Sequence, residues 1–529
     1  MRRCARPCRR WLRPPRGGPR RPASSRRPPP PFDVEAPDRT RLSQSDGWLH
    51  KDPENAIEES ELASTYNAPN YSQAIPVSVT HRPSKADLPQ EIERQLLYGS
   101  RSAAQLIAAL GISQPTLSRT IQVLSRTVTS FRVRGVRTPM YGLLRQLPMG
   151  LSPRQRIYRH MRGGNIEPFA DVEFLAGGAT VERIGDVTRL YEGLPPYMLF
   201  AAPSGFLGRQ LAHEAARNQP FPTSLKDWGD DHRVAYLFTQ GLNLPGNLVF
   251  GDAPLERELA FLAAKPTPAE DKVDDYVGMA SALRGAAYGS SAGGEQPKFL
   301  WLTEDTGHVI VKFAKVGSRM AELLPLEHLA LRSLAEIGVP ASSTRLLAGG
   351  DYVFLEVQRF DRIGLNGRVG MLSAGSVDDE FFGRRDSWSE FAARCEQERY
   401  LTAEDARNID AMAAFSELIG NNDRHFENIS LLIREDGEYQ GVAPAYDILP
   451  MRYASLGGGV DPDLAPIEPK VGTIGARPAV WARAAAAAER FWMAAMKEDL
   501  PAPLSHEMRQ AAHENLKVAK AFVAPLLPR

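Results

Sequence analysis

The chain has 529 residues, 43% of them hydrophobic and 24% charged, and 64 Lys and Arg against 63 Asp and Glu give a formal net charge of +1. That length predicts two to four globular domains, and the absence of any run of about 18 apolar residues excludes a membrane-spanning class. Three cysteines, Cys4, Cys8 and Cys395, exclude a disulfide framework and suit the reducing cytoplasm, where we expect the protein to reside.

The charge is unevenly spread. The first 30 residues hold eleven Arg, no Lys and no acid, which leaves 53 of the 64 bases against all 63 acids in the rest. Rich in Pro and Arg and poor in anything to bury, residues 1–85 predict a disordered basic tail followed by a polar linker.

Over residues 86–150 the spacing turns helical: Ile92, Leu96 and Leu97, then Leu106, Ile107 and Leu110, then Leu117, Ile121 and Leu124 predict three short amphipathic helices. The second and third, joined at Gly111 with a Ser113 cap, have the helix-turn-helix form, and "VTSFRVRGVRTPMYGL" after them alternates as a β-wing would. A winged helix would lay Gln114, Thr116, Ser118 and Arg119 in the major groove of double-stranded DNA and the wing residues Arg132, Arg134 and Arg137 on phosphate. Winged helices commonly bind palindromes in pairs, so a homodimer is expected; the alternative is a small module that merely packs on its neighbour.

Residues 155–270 read as mixed: "DVEFLAGGATVERIG" and "YMLF" as strands, "FLGRQLAHEAARN" as a helix, and "GLNLPGNLVFGD" as a turn feeding a strand. Their side chains suggest no chemistry. "AAKPTPAEDKVDDY" marks a boundary before a last domain over 275–529.

Four segments of that domain carry polar clusters. "YGSSAGGEQPKFLWL" is a Gly/Ser loop able to bring N–H groups to an anion, though its spacing is not that of a Walker A loop. In "HVIVKFA", Lys312 interrupts an apolar strand, either snorkelling from an edge or entering a cleft to hold phosphates. Glu327, fifteen positions on and on a helix, is its candidate ion-pair partner, with Glu322 competing. "GNNDRHFEN" sets Asp423 five positions before Asn428, the spacing at which protein kinases place a base for the acceptor hydroxyl and an amide ligand for Mg²⁺. "GVAPAYDILPM" places Asp447 on an apolar run as a second metal ligand, and one carboxylate with one amide oxygen suffices for Mg²⁺ that also takes phosphate oxygens. Between the second and third segments, "DYVFLEVQRFDRIG" reads as a hinge strand whose backbone meets adenine, with Phe360 against the ring.

The order of these segments resembles the HipA family of serine/threonine kinase toxins over about residues 160–525, and the helix-turn-helix ahead of them resembles its YjjJ-like branch. "YEGLPPYMLFAAPSGFLGRQLA", "SSAGGEQPKF", "VIVKF", "VQRFDR", "NNDRHFEN" and "APAYDILP" are the stretches that carry the likeness. It implies an α+β, protein-kinase-like fold with an N-terminal α/β subdomain and an α-helical C-lobe, and an ATP- and Mg²⁺-dependent protein kinase. Asp423 and Lys312 would be catalytic, Asn428 and Asp447 would hold Mg²⁺, and Ala292, Lys312, Gln358, Phe360, His425 and Tyr446 would line the ATP pocket. Ser291, with Ser290 beside it, matches a serine whose autophosphorylation switches such toxins off. Family targets include aminoacyl-tRNA synthetases, so a protein substrate of that class is implied. Glu427 departs from the Lys of many members, which leaves target selection open. Two other readings use the same residues: a DNA-binding regulator whose kinase fold binds nucleotide without transferring phosphate, and a small-molecule phosphotransferase.

Overall fold

The computed structural model describes residues 84, 86–133, 138–285, 296–456 and 460–528. Apart from Ser84, the expected tail and linker lie outside the described residues, as do Arg134, Arg137, Ser290, Ser291 and Ala292.

Three helices, Leu88–Leu96, Ala103–Leu110 and Gln114–Val123, open the described part. The middle one starts in a capping box, where the Ser102 hydroxyl accepts from the Gln105 N–H and the Gln105 amide oxygen from the Ser102 N–H, and it stops at Gly111, whose φ of 61° is left-handed. The Ser113 hydroxyl caps the third helix by accepting from the Thr116 N–H. Ile92, Leu106, Leu110, Leu117 and Leu124 form their common core. Beside them Met140–Leu143 pairs antiparallel with both Arg101–Ser102 and Val128–Phe131.

The next unit is a five-stranded sheet in the order Val187–Tyr191, Thr180–Ile184, Ile166–Phe174, Arg154–His160, Leu248–Phe250. Every pairing in it is antiparallel. The α/β subdomain expected here is therefore better described as α+β: hairpins join the first four strands, and no crossover helix makes a parallel pair. A second correction concerns "YMLF", which lies in the helix Pro196–Ala201: Pro196 at its first turn pre-sets the helical φ, and the helix buries Tyr197, Met198 and Ala201 while Leu199 faces outward.

The third part holds a four-stranded antiparallel sheet in the order Thr344–Gly349, Tyr352–Gln358, Gly307–Lys315, Lys298–Thr303. The helix Arg319–Glu336 packs on one face through Leu323, Leu326 and Leu334, and Tyr276 of the helix Lys272–Gly285 packs on the other. A helical layer follows, in which Ala403–Ile419, Pro478–Lys497 and His506–Val523 share a core with Phe415, Phe491 and Trp492 at its centre. Against it lies a three-stranded sheet of Gly370–Ser373, Ser430–Ile433 and Tyr439–Val442. Lys312, Gln358, Phe360, Tyr446 and Asp447 line one cleft against the four-stranded sheet, whereas Asp423, His425 and Asn428 are not among its lining residues. Among the described residues no helix is long and apolar enough to cross a membrane.

Candidate active site

Lys312 and Lys298 are direct cross-strand partners, so both project from one face of the four-stranded sheet, and both line a cleft of roughly 670 Å³. That volume is in the range of small-molecule sites. The Lys312 Nζ donates to both carboxylate oxygens of Glu327, at 2.6 and 2.7 Å, and also to the Asp447 carboxylate. Lys312 and Glu327 are both buried. Burial opposes charge on Lys312, but Asp447 and Glu327 outweigh it and hold the ammonium above its ordinary range. Glu322 is not the partner: its carboxylate accepts from the Ser505 N–H at 2.9 Å.

Asp447 is likewise driven below the usual carboxylate range, since Lys312 and Lys298 outweigh its burial. The sequence placed it on an apolar strand; it instead lies in a bend after the strand Tyr439–Val442 and adopts a φ of 53°, a left-handed conformation that aspartate tolerates better than most residues.

The helix Ala403–Ile419 ends at Gly420, left-handed with a φ of 76°, and the catalytic-loop candidates follow at once. The Asn421 side chain accepts from the Asp423 N–H at 3.1 Å, and the Asn428 amide nitrogen donates to the Asp423 carbonyl at 2.9 Å. With its nitrogen so used, Asn428 has its oxygen left as a ligand, while the Asp423 side chain stays half-exposed. His425 lies between two carboxylates, Nε2 at 3.6 Å from Asp423 and Nδ1 at 3.3 Å from Glu427. Glu427, with Asp423 assisting, raises the imidazole pKa against its burial. Glu427 is itself lowered to about 2 by His425 and Arg385.

Phe360 and Tyr446 stand with ring centroids 5.6 Å apart, and with the exposed Gln358 they line the same cleft. The Tyr446 hydroxyl donates to the Glu427 carbonyl at 2.8 Å and lies 2.8 Å from the Ser430 hydroxyl, fixing the ring over the loop. The Asp447 carboxylate beside Lys312 and Lys298 suits a hard divalent cation that shares phosphate oxygens, with the Asn428 oxygen as the candidate second protein ligand. Among the described residues no group of three or more His, Cys, Asp or Glu is placed to hold a metal unaided, and a cation carried on phosphates needs none.

Two contributions escaped the sequence reading. Arg385, held bidentate by Asp379, reaches the Glu427 carboxylate at 2.6 Å and sets that side chain beside His425. Asn243, Leu244 and Phe261 of the middle unit line the cleft, which no local motif announced.

Of the DNA-contact candidates, Gln114, Ser118 and Arg119 are exposed on the third helix and Arg132 is exposed after Phe131. Thr116 is half-buried with its hydroxyl 2.9 Å from that of Ser113, so it serves the cap.

Residues 151–259 match the family model for the YjjJ-like toxin, middle domain, and residues 290–516 that for the HipA-like C-terminal domain. The chain is 30% identical over 446 residues to Toxin YjjJ of Escherichia coli (strain K12), spanning 82% of this chain and 99% of the other. Among solved structures, the Shewanella oneidensis MR-1 toxin-antitoxin complex of HipA, HipB and operator DNA has a chain similar at a TM-score of 0.46 and 15% identity, covering 69% of this chain and 97% of that one. The Helicobacter pylori proinflammatory kinase CtkA is similar at a TM-score of 0.31 and 12% identity, covering 43% and 92% respectively.

Proposed function

Since the chain belongs to the family of YjjJ-like toxins and carries a HipA-like C-terminal domain, we propose that it is an ATP- and Mg²⁺-dependent serine/threonine kinase toxin that also binds double-stranded DNA. The observation that carries the kinase reading is the buried Lys312 pinned by Glu327 beside Asp447, in a cleft that also holds Phe360 and Tyr446. Glu327 aims the Lys312 ammonium at the phosphates. Asp423 aligns the acceptor hydroxyl and takes its proton while the new oxygen–phosphorus bond forms and the bond to the departing ADP breaks. Asn428 and Asp447 would hold the cation, which when bound would supply neutralisation of phosphate charge.

The acceptor is a protein hydroxyl, with an aminoacyl-tRNA synthetase as the target class the family suggests. Ser291, or Ser290, is the self-limiting acceptor within the chain. DNA binding rests on the exposed Gln114, Ser118, Arg119 and Arg132 and the helix-turn-helix form of the first unit, with pairing of two copies on a palindrome.

The test is transfer from radiolabelled ATP by the purified chain, compared with Asp423→Asn and Asp447→Asn. Both substitutions keep side-chain size and are expected to lower transfer at least about 100-fold, the scale of a lost base or charge stabiliser. Transfer at the wild-type rate in either variant would remove that residue from the mechanism.

A further inference from the structure

The segment after the hinge strand ties itself to the middle unit through buried charges. Arg359 grips Asp361 in a bidentate pair, Nε to Oδ1 at 3.0 Å and Nη2 to Oδ2 at 2.8 Å, and Arg362 shares the same Oδ2 at 2.7 Å. Asp361 in turn accepts from the Gly246 N–H at 2.8 Å. Both terminal nitrogens of each arginine also reach the loop Asn243–Gly246. The side-chain oxygen of Asn243 accepts from Arg359 at 2.8 Å and from Arg362 at 2.9 Å, the Leu244 carbonyl accepts from both at 3.2 and 2.8 Å, and the Gly246 carbonyl accepts from Arg362 at 3.0 Å. All four side chains of this cluster are buried.

The loop is held from behind as well. The Asn243 N–H donates to Glu258 at 2.7 Å, and Glu258 pairs with Arg368 at 2.7 Å. Asn243 has a φ of 52°, a left-handed conformation that asparagine tolerates better than most residues. One residue thus receives both guanidinium groups, donates to a buried carboxylate and turns the chain. Asn243 lines the cleft together with Leu244, Gln358, Arg359, Phe360 and Asp361.

We propose that Asn243 is a positioning residue for nucleotide binding: through Arg359 and Arg362 it fixes the hinge segment Gln358–Phe360, so that the middle unit forms the outer wall of the base end of the cleft. Truncating a buried acceptor of two charged donors leaves those donors poorly satisfied, and the hinge they carry loses its fixed position. This rests on reading the cleft as a nucleotide site. It goes beyond that reading in giving the middle unit a share in the site and in separating base-end from phosphate-end affinity.

The test is calorimetric titration with adenosine, ADP and the non-hydrolysable AMP-PNP, each with Mg²⁺, into the wild-type chain, Asn243→Gly and Lys312→Met. Asn243→Gly removes the acceptor while keeping the left-handed turn accessible. It is expected to raise Kd roughly tenfold for all three ligands, a tenfold change being about 1.4 kcal/mol. The Lys312→Met penalty should instead grow with the number of phosphates. A folded Asn243→Gly variant that binds all three like wild type would overturn the proposal. If the wild-type chain binds none of them, the nucleotide reading itself fails and the proposal with it. Should Asn243→Gly not fold, Arg362→Lys, which keeps a charge beside Asp361 but loses the arms to Asn243 and Leu244, carries the same expectation and the same refutation.

Discussion

Lys312 answers to two carboxylates, and its structural and functional shares are separable. Lys312→Met leaves the buried Glu327 without its cation, a loss of roughly 3–5 kcal/mol in stability, whereas Lys312→Met with Glu327→Gln removes both charges and should recover much of that loss. Chemical denaturation checks the stability and radiolabel transfer the activity; the double variant is expected to remain inactive. Gly375 makes a different prediction. A Cβ there would meet the Glu427 carboxylate and stand 2.9 Å from Arg385 Nη2, so Gly375→Ala should displace the pair that sets His425 and lower transfer several-fold with the fold intact. Unchanged transfer in that variant would show that the Arg385–Glu427 contact has no bearing on the loop. Residues at this scale differ in how legible they were. Lys312, Asp423 and Asn428 stood out because a lysine interrupts an apolar strand and a five-residue spacing is local, whereas helix spacing alone left Glu327 and Glu322 competing candidates until the fold turned Glu322 to Ser505. Arg385 and Asn243 did not, because the contacts that tie them to the site, Arg385 to Glu427 and Asn243 to Arg359 and Arg362, span 42 and 116 or more positions and only the tertiary fold makes them.

At the scale of elements, the capped helices were the easiest to read. Ser113 and the glycine at 111 each supply a boundary whose cause is a nearby hydrogen bond or a left-handed φ. Replacing Ser113 by alanine should cost about 1 kcal/mol and weaken DNA binding, since the helix that begins there carries Gln114, Ser118 and Arg119. A band-shift titration beside thermal melting checks both; DNA affinity unchanged by loss of the cap would detach that helix from the binding reading. The helix Pro196–Ala201 was missed because four apolar residues in a row fit a buried strand or a buried helix equally well, and the paired prolines before them decide the matter. The antiparallel order of the middle sheet was also hidden, since strand direction depends on connections rather than on composition.

For the whole molecule, joints between units matter most. Thr129 of the first unit donates to Glu173 of the middle sheet at 2.7 Å, and Arg154 and Arg183 pair with the same carboxylate, so Glu173→Ala should lower stability by roughly 2–3 kcal/mol, read as a drop in melting temperature. Acid should act on two buried histidines, His160 of the middle sheet and His308 of the four-stranded sheet. His160 and His308 are buried, and burial with neighbouring arginines lowers both pKa values to about 4. An unfolded imidazole titrates near about 6.5, so their contribution is intact above that pH and is lost as pH falls toward 4, by up to roughly 3 kcal/mol each. Denaturant midpoints at pH 7, 6 and 5 should fall in that order, and a flat profile would contradict the buried neutral state.

The central claim, that this cleft transfers phosphate, is tested most directly by the intact mass of the purified chain after incubation with ATP and Mg²⁺, beside Asp423→Ala and with peptide mapping. We predict a gain of one phosphate on Ser291 or Ser290 in the wild-type chain and none in the variant. No gain in a wild-type chain that binds ATP, or an equal gain in both, would contradict the account.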